Sequence, residues 1–365
     1  MRSHRLINAI FIVLPVVVAV LFTSLLVMLV GNEPGEVFRT VWMGAFRNSN
    51  ALAAVVNFWI PLVMVSMGLV VTFTAGLWNI GVEGQMMMGA VFASWAARSL
   101  ALPHPIQISA EIAAAALGGA LWAGLAGVLK TRLGVNEIFG WVGLNALANL
   151  LAIYLISGPW QPPEGGSAHS TAPFPDNSLL QPLSTEFPVS MVALALAFAS
   201  IIGVTLALRG TRWGLQLKAT GKSAASARLM GVPTTRSVVS AMMVCGLLAG
   251  LAGSYRVLFT YESLRPLVSG GIGFLGLLVV LLVGIRALWT PFIAFAFAAI
   301  MAGSTRLRVS LQLDASLAGV LQGALVLLVL LSNGLRGRVV EWSDRRAEAQ
   351  ADAASETAAP GATHE

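Results

Sequence analysis

The sequence contains little charge. Only 10% of its 365 residues are Asp, Glu, Lys or Arg, whereas a soluble globular domain has about 25%. Hydrophobic residues make up 57% of the chain, which is more apolar surface than a soluble core can bury. The shortage of charge therefore excludes a soluble domain and predicts an integral membrane protein.

Cysteine and histidine are also scarce. The single cysteine, Cys245, excludes an intrachain disulfide. The four histidines, His4, His104, His169 and His364, are scattered, and the sequence has neither an H-E-x-x-H motif nor a paired Asp motif. We therefore predict no metal site, no cofactor and no catalytic residue, and hence a protein that is not an enzyme.

The net charge of +6 would suit a nucleic-acid partner, but the basic residues lie in short loops between long apolar runs. That distribution is typical of membrane proteins, so we expect membrane lipid around the chain and no nucleic acid. Arg2, His4 and Arg5 precede an apolar stretch at 6–30. At roughly 25 residues this stretch exceeds the h-region of a signal peptide, and it predicts a first membrane span.

Ten apolar stretches approach the roughly 20 residues that a helical span requires. They cover residues 6–30, 51–72, 84–100, 106–129, 137–156, 189–208, 238–258, 268–285, 289–304 and 315–331. The third, eighth and ninth are short or interrupted by glycine. We therefore predict an all-α integral membrane protein with one polytopic domain, residues 1–342, and a disordered polar tail, residues 343–365.

The charges indicate which loops face the cytoplasm. With an even number of spans both termini lie on one side, and the predicted inside loops carry most of the loop cations: Lys130, Arg132, Arg209, Arg212, Lys218, Lys222, Arg228, Arg236, Arg336 and Arg338. The loop 157–188 has no Lys or Arg and is predicted to be extracytoplasmic. Arg39, Arg47, Arg306 and Arg308 fall outside and are exceptions to the rule.

The longest inside segment, 209–237, contains Gly221-Lys222-Ser223, which resembles the end of a P-loop. A P-loop requires glycine at position 216, where this chain has Gln216, and the flanking spans leave no room for a parallel sheet. Good helix formers at 222–230 and a stop at 231–233 instead predict a short cytoplasmic helix. Two roles stay open for it: docking a soluble partner, or a basic loop that only sets topology.

A second polar segment, "TAGLWNIGVEGQMMMGA" at 74–90, joins the second and third spans. It contains Asn79, Glu83 and Gln85. A carboxylate near membrane depth is functional or partnered, and irregular backbone there must be buried in protein or line a water-filled path. The alternative is an ordinary inside turn in which Glu83 faces water.

A third segment, "GVNEIFGWVGLNALAN" at 134–149, opens the fifth span with Asn136 as a helix cap. Asn145 and Asn149 are four residues apart and share a helix face. They either bind a neighbouring helix or contact a polar solute. Trp141 either stacks on a sugar or a base or anchors the span at the interface.

The chain shows a weak internal repeat. "VSGGIGFLG" at 268–276 occupies the place in the second half that "NIGVEGQ" occupies in the first. Glycine-interrupted segments at matching places in two halves indicate a central solute path in transporters. We therefore predict two pseudo-repeated halves with glycine-broken helices near the centre. The predicted path residues are Asn79, Glu83, Gln85, Trp141, Asn145, Asn149, Ser269 and Phe274.

These segments resemble the permease subunits of ATP-binding-cassette (ABC) importers. "GLQLKATGKSAASARLMG" at 214–231 is similar to their cytoplasmic E-A-A-x-x-x-G loop, although the leading Glu is absent, and it lies closer to the branch with sugar, nucleoside and branched-chain amino acid permeases. The stretch "NIGVEGQ" resembles the N-I-G-x-E-G-Q of nucleoside and simple-sugar permeases and is the most specific match. The resemblance assigns ATPase coupling to Gly214, Lys218, Gly221, Lys222, Ala227, Arg228 and Gly231.

The resemblance implies a transport subunit in a bacterial cytoplasmic membrane, with both termini in the cytoplasm, that imports a nucleoside or a simple sugar. Its expected partners are a cytoplasmic ABC ATPase, a second related permease and an extracytoplasmic substrate-binding lipoprotein. A branched-chain amino acid permease is the alternative within the class. An ion-coupled secondary transporter is the alternative outside it, with Glu83 and Asp314 as the only candidate ion-coupling groups.

Overall fold

A computed structural model of the chain describes residues 17–29, 31–162, 169–310 and scattered positions between 319 and 331. The chain divides into two compact units, one formed by Met1–Glu36 with Ser316–Glu365 and the other by Val37–Ala315. In the first unit the structure describes helix α1, Val17–Leu29. The predicted tail lies outside the described residues, as do about half of the tenth span and residues 6–16 and 30 of the first span.

The second unit is built from helices. They are α2 (Pro34–Phe46, which begins just before the unit), α3 (Ser49–Thr74), α4 (Val82–Ser99), α5 (His104–Leu133), α6 (Glu137–Ser157), α7 (Met191–Gly210), α8 (Arg212–Lys222), α9 (Ala224–Leu229), α10 (Thr234–Tyr255), α11 (Ile272–Val283) and α12 (Thr290–Ser310). Extended pairing among the described residues is limited to a single bridge between Pro182 and Ser190.

Six helices in the described part of the chain are long and apolar enough to cross a membrane, or seven if Val17–Leu29 and Pro34–Phe46 form one span. The six are α3, α5, α6, α7, α10 and α12, where α10 is counted with its extension to Thr260. These helices coincide with the second, fourth, fifth, sixth, seventh and ninth predicted spans. The predicted eighth span is shorter in the structure. At 12 residues, α11 is about 18 Å long, less than the roughly 30 Å of the hydrocarbon core.

Helices α3 and α10 form the centre of this unit. The most apolar windows of α3 and α10 are 78% and 72% buried, whereas those of α6 and α7 are 17% and 28% buried. Because the exposed side chains of α6 and α7 are predominantly apolar, these two helices present surfaces suited to lipid or to another membrane subunit.

Glycines allow α4, α5 and α10 to approach until their backbones touch. A Cβ atom added to Gly89 on α4 would overlap the backbone of Gly250 on α10, and one added to Gly250 would overlap the carbonyl oxygen of Ala115 on α5. Gly119 and Gly246 make the same kind of contact between α5 and α10. Small residues at helix interfaces are a general means of close packing in membranes.

The segment after α6 closes over the end of α10. Backbone N–H groups of Thr171, Phe174 and Leu180 donate hydrogen bonds of 2.9–3.1 Å to carbonyl oxygens in the segment 258–264. This end is extracytoplasmic in the predicted topology. The loop 157–188 is therefore anchored, where described, by backbone pairing that its sequence did not indicate.

Two helical features differ from the expectations. Helix α2 was not predicted, because its 13 residues include Glu36 and Arg39 and give no long apolar run. The single short helix predicted at 222–230 is wrong in its bounds. Helix α8 ends at Lys222, and Ser223 begins α9 by accepting a hydrogen bond from the Ser226 N–H at 3.2 Å, so the capping serine interrupts the helix.

We expect Gly250→Val to destabilise the fold, because its side chain must displace the backbone of α5. Overpacking of this kind costs about 1–3 kcal/mol, and we expect the unfolding midpoint in detergent to fall by at least about 5 °C. The sole cysteine, Cys245, is buried, so labelling by a thiol-reactive fluorophore on heating reports the transition. Gly203→Val is the control, since a Cβ there meets no atom within 4 Å. An equal effect of both substitutions would contradict the close backbone contact between α5 and α10.

Candidate functional site

The polar segment between α3 and α4 is folded back on itself by side-chain amides. Asn79 is fully buried, and its amide exchanges two hydrogen bonds with the amide of Gln85, of 3.2 and 3.1 Å. Asn79 Nδ2 also lies 3.1 Å from Sγ of Cys245 on α10. The two amides therefore satisfy each other and fix the turn against the central helix.

Asn145 on α6 binds the backbone of the same segment. Its Nδ2 donates to the carbonyl oxygen of Ile80 at 3.0 Å, and its Oδ1 accepts from the N–H of Gly84 at 2.8 Å. Gly84 is in the first turn of α4, where N–H groups have no partner within the helix. Asn145 thus supplies the hydrogen bonds that the irregular backbone lacks.

Asn149, one turn further along α6, performs the same task for the irregular segment that precedes α11. Its Oδ1 accepts from the N–H of Leu267 at 2.9 Å. Leu267 has a φ of 51°, an uncommon conformation for a residue other than glycine. One face of α6 therefore holds both irregular segments, as the spacing of Asn145 and Asn149 permits.

Glu83 joins the two segments directly. Its carboxylate accepts hydrogen bonds from the hydroxyl of Ser269 and from the N–H of Phe274, the latter at 3.1 Å. Gly271, with a φ of 81°, starts α11, and Glu83 occupies the position of a cap at that end. A carboxylate is favourable there because the first N–H groups of a helix are unpaired and carry partial positive charge. Glu83 therefore contacts α11 and is not an unpartnered side chain in an open turn.

The predicted aromatic residues have different surroundings. Trp141 is 2% exposed and packs on the Gly81 turn, where a Cβ added to Gly81 would lie 3.3 Å from Cβ of Trp141. Its ring faces are therefore not open to a solute in this conformation. Phe274, at the start of α11, is 50% exposed and is accessible beside Glu83.

Two charged residues inside predicted spans were missed. Arg256 is 6% exposed; its Nε donates to the carbonyl oxygen of Val268 at 3.2 Å, and its guanidinium lies 4.5 Å from the ring centre of Tyr261. Glu111 is fully buried, and its Oε1 accepts from Gln107 Nε2 at 2.7 Å. A charge within an apolar run was the available signal.

The presence of Glu111 corrects the statement that Glu83 and Asp314 are the only candidate ion-coupling groups. Asp314 lies outside the described residues. Within those residues, no group of three or more His, Cys, Asp or Glu side chains could hold a metal ion.

Small residues attach α8 and α9 to the ends of the membrane helices. A Cβ on Gly214 would overlap the backbone of α7, and one on Gly221 would overlap the carbonyl oxygen of Thr74 at the end of α3. Ala227 is 1% exposed, whereas the neighbouring Leu229 is 91% exposed. The coupling residues with cationic side chains, Lys218, Lys222 and Arg228, are exposed. The segment thus has one anchored face and one accessible face.

The chain is similar to known transport proteins along most of its length. The sequence profile described as the permease component of the branched-chain amino acid transport system matches residues 51–330. The chain is 27% identical over 352 residues to the glucose ABC transporter permease protein TsgB13 of Haloferax volcanii. The aligned residues cover 93% of this chain and 92% of that protein. It is 25% identical over 340 residues to the guanosine ABC transporter permease protein NupP of Bacillus subtilis, covering 92% and 95%.

A third relative is the nucleoside ABC transporter permease protein NupB of Lactococcus lactis, 22% identical over 302 residues that cover 79% of this chain and 82% of that protein. Permease subunits of this class are transport components without catalytic activity. The apolar helices, the matched profile and these relatives agree: the chain belongs to the family of ABC importer permeases described as the permease component of branched-chain amino acid transport systems.

Proposed function

We propose that the chain is the transmembrane permease subunit of a bacterial ABC importer and forms the path for a nucleoside or a simple sugar. Support for this substrate class comes from the N-I-G-x-E-G-Q stretch and from relatives whose names specify glucose, guanosine and nucleosides. A branched-chain amino acid is the second candidate substrate, because the family takes its description from that transport system.

We place ten spans in one domain, residues 1–342, in the cytoplasmic membrane with both termini in the cytoplasm. The distribution of Lys and Arg supports this orientation. Glycine-broken helices near the centre are supported by the shortness of α11 and by the non-helical segments that precede α4 and α11.

The single observation that carries the path proposal is the contact between Glu83 and the start of α11. It joins the polar segments of the two halves, which lie far apart in the sequence. Glu83, Ser269 and Phe274 would flank the path, with Gln85 and Asn145 beside them. Asn79, Trp141 and Asn149 support it from behind by fixing the backbone. Alternating access would then require α11 to move relative to α4.

The exposed face of α8 and α9 is proposed as the seat of a cytoplasmic ABC ATPase, whose closure would move the membrane helices. Gly214, Gly221, Ala227 and Gly231 shape this segment, and Lys218, Lys222 and Arg228 present positive charge. A second related permease would complete the membrane domain, and an extracytoplasmic lipoprotein would deliver the substrate.

The function is tested by purifying the tagged chain with its associated subunits. We expect an ATPase and a binding protein to accompany it, and uptake into proteoliposomes to require ATP. Competition by nucleosides, simple sugars and branched-chain amino acids then identifies the substrate. Uptake that persists without ATP and collapses with an ion gradient would contradict the proposal and support a secondary transporter.

Transport should depend on the acceptor oxygens of Glu83. In Glu83→Leu the Ser269 hydroxyl and the Phe274 N–H lose their acceptor. Ser269 is buried, and a buried group left unpaired costs about 1–3 kcal/mol. We expect ATP-driven uptake to fall at least about tenfold, since 1.4 kcal/mol corresponds to a factor of ten. Glu83→Gln keeps one acceptor oxygen and should retain uptake within about fivefold.

Glu186→Gln in the exposed outer loop is the matched control for loss of a carboxylate, and protection of Cys245 from labelling verifies folding. If Glu83→Gln abolished uptake as fully as Glu83→Leu, the ionised carboxylate itself would be required, as in ion coupling. Unchanged uptake in both variants would exclude Glu83 from the path.

Association with the ATPase should depend on the apolar tip of α9. Leu229 is 91% and Met230 is 75% exposed, and adjacent exposed apolar side chains of this kind are typical of interaction sites. We expect Leu229→Glu to weaken binding of the ATPase at least about tenfold, measured by copurification and by titration of the ATPase onto permease in nanodiscs.

Leu183→Glu is the control, because Leu183 is a 57% exposed leucine in the outer loop. Gly231→Arg is a poorer test, since Gly231 has a φ of 80° and any side chain there strains the backbone. Normal ATPase binding by Leu229→Glu would remove α9 from the interface.

A further inference from the structure

A cavity beside α8 is lined by three positively charged side chains. The proposed transport function assigns no common role to these three side chains. The cavity lies between the end of α3, the end of α7, α8 and the turn that joins α11 to α12, and its volume is about 250 Å³. Arg209, Lys218 and Arg286 line it, and no acidic residue does. None of the three forms an ion pair with a described carboxylate.

The three cations come from three different elements of the fold. Arg286 lies in a tight turn in which Ile285 and Gly284 both have positive φ, and the Arg286 carbonyl oxygen accepts from the N–H of Trp289 at 3.0 Å and of Thr290 at 3.2 Å. Arg209 is in the last turn of α7. The three side chains are exposed and project around one space, where their mutual repulsion favours a bound anion.

Thr205 on α7 also borders this space. Its hydroxyl is buried with no hydrogen-bond partner among the described atoms, so it is not open to a ligand in this conformation. An anionic oxygen in the cavity would accept charge-assisted hydrogen bonds from the arginines.

Exposed apolar side chains border the cavity. Leu288 and Trp289 line it and are 50% and 56% exposed, and Phe292 follows on α12 at 65% exposed. Tryptophan is enriched at the level of the lipid head groups. An apolar rim beside a cationic cavity matches a molecule that has acyl chains and an anionic head.

We propose that this cavity binds the phosphate of an anionic phospholipid, in the cytoplasmic leaflet if the chain has the orientation proposed above. Basic pockets between membrane helices bind phospholipid head groups in this way. Arg209 and Arg286 contact the phosphate, and the acyl chains lie along Trp289 and α12. The lipid joins α7, α8 and the α11–α12 turn, so its binding stabilises these elements together.

The test measures lipid binding by the permease alone, in nanodiscs of phosphatidylcholine or of phosphatidylcholine with phosphatidylglycerol. We expect phosphatidylglycerol to raise the unfolding midpoint and to be retained as an adduct in native mass spectrometry. Each of Arg209→Gln and Arg286→Gln should weaken retention about fivefold, from the contribution of one cation near an anionic surface. Arg212→Gln, an exposed arginine on α8 outside the cavity, is the matched control and should retain the lipid.

Inorganic phosphate and glycerol phosphate, added in detergent, distinguish the sources of the anion. Stabilisation by these soluble ions equal to that by phosphatidylglycerol would assign the cavity to a free phosphate and overturn the lipid proposal. So would equal losses in Arg212→Gln and Arg286→Gln, or equal retention of phosphatidylcholine. Loss of ATPase binding by Arg209→Gln and Arg286→Gln in phosphatidylcholine nanodiscs would assign the cavity to a protein interface instead. None of these outcomes depends on transport, so they do not test the permease function.

Discussion

Backbone hydrogen bonding is the constraint on which the candidate site depends. A chain in the membrane must satisfy its N–H and C=O groups without help from water, yet the segments before α4 and α11 are not helical. Asn145, Asn149 and Glu83 supply the missing partners. These polar side chains therefore have a structural role, and in the proposed path they would also make possible the irregular backbone that a polar path requires.

The same constraint explains how few charges the site contains. A buried carboxylate in a membrane is costly unless paired, and Glu83 is paired with a helix start and a hydroxyl rather than with a cation. The N–H groups it accepts from are fixed by α11, so the contact persists only while α11 stays in place. In the proposed alternating access, a contact of this type would stabilise one arrangement of the two halves and break in the other, as a two-state path requires.

Hydropathy predicted the spans that correspond to α3, α5, α6, α7, α10 and α12, because length and apolar composition alone determine them. It also indicated Glu83, Asn145 and Ser269, since polar residues in apolar surroundings are conspicuous. It did not indicate that Glu83 meets Ser269, because 186 residues separate them and only tertiary packing joins them. The bounds of α8 and α9 were missed because helix propensity does not register a capping serine, and Arg256 was missed because one charge hardly changes the hydropathy of a long window.

Close contacts between glycines also connect α8, which precedes α9, with the segment of the proposed path. Gly221, at the end of α8, lies against the turn after α3, where a Cβ on Gly76 would be 3.1 Å from Cα of Gly221. That turn continues within a few residues to Asn79 and then to Glu83. In the proposed coupling, a displacement of α8 by a partner at α9 would act on the backbone that positions Glu83, because glycine on both sides leaves no side chain between the two segments. The small residues bring the backbone of α8 into contact with the turn that precedes α4, which would give them a mechanical role in that coupling.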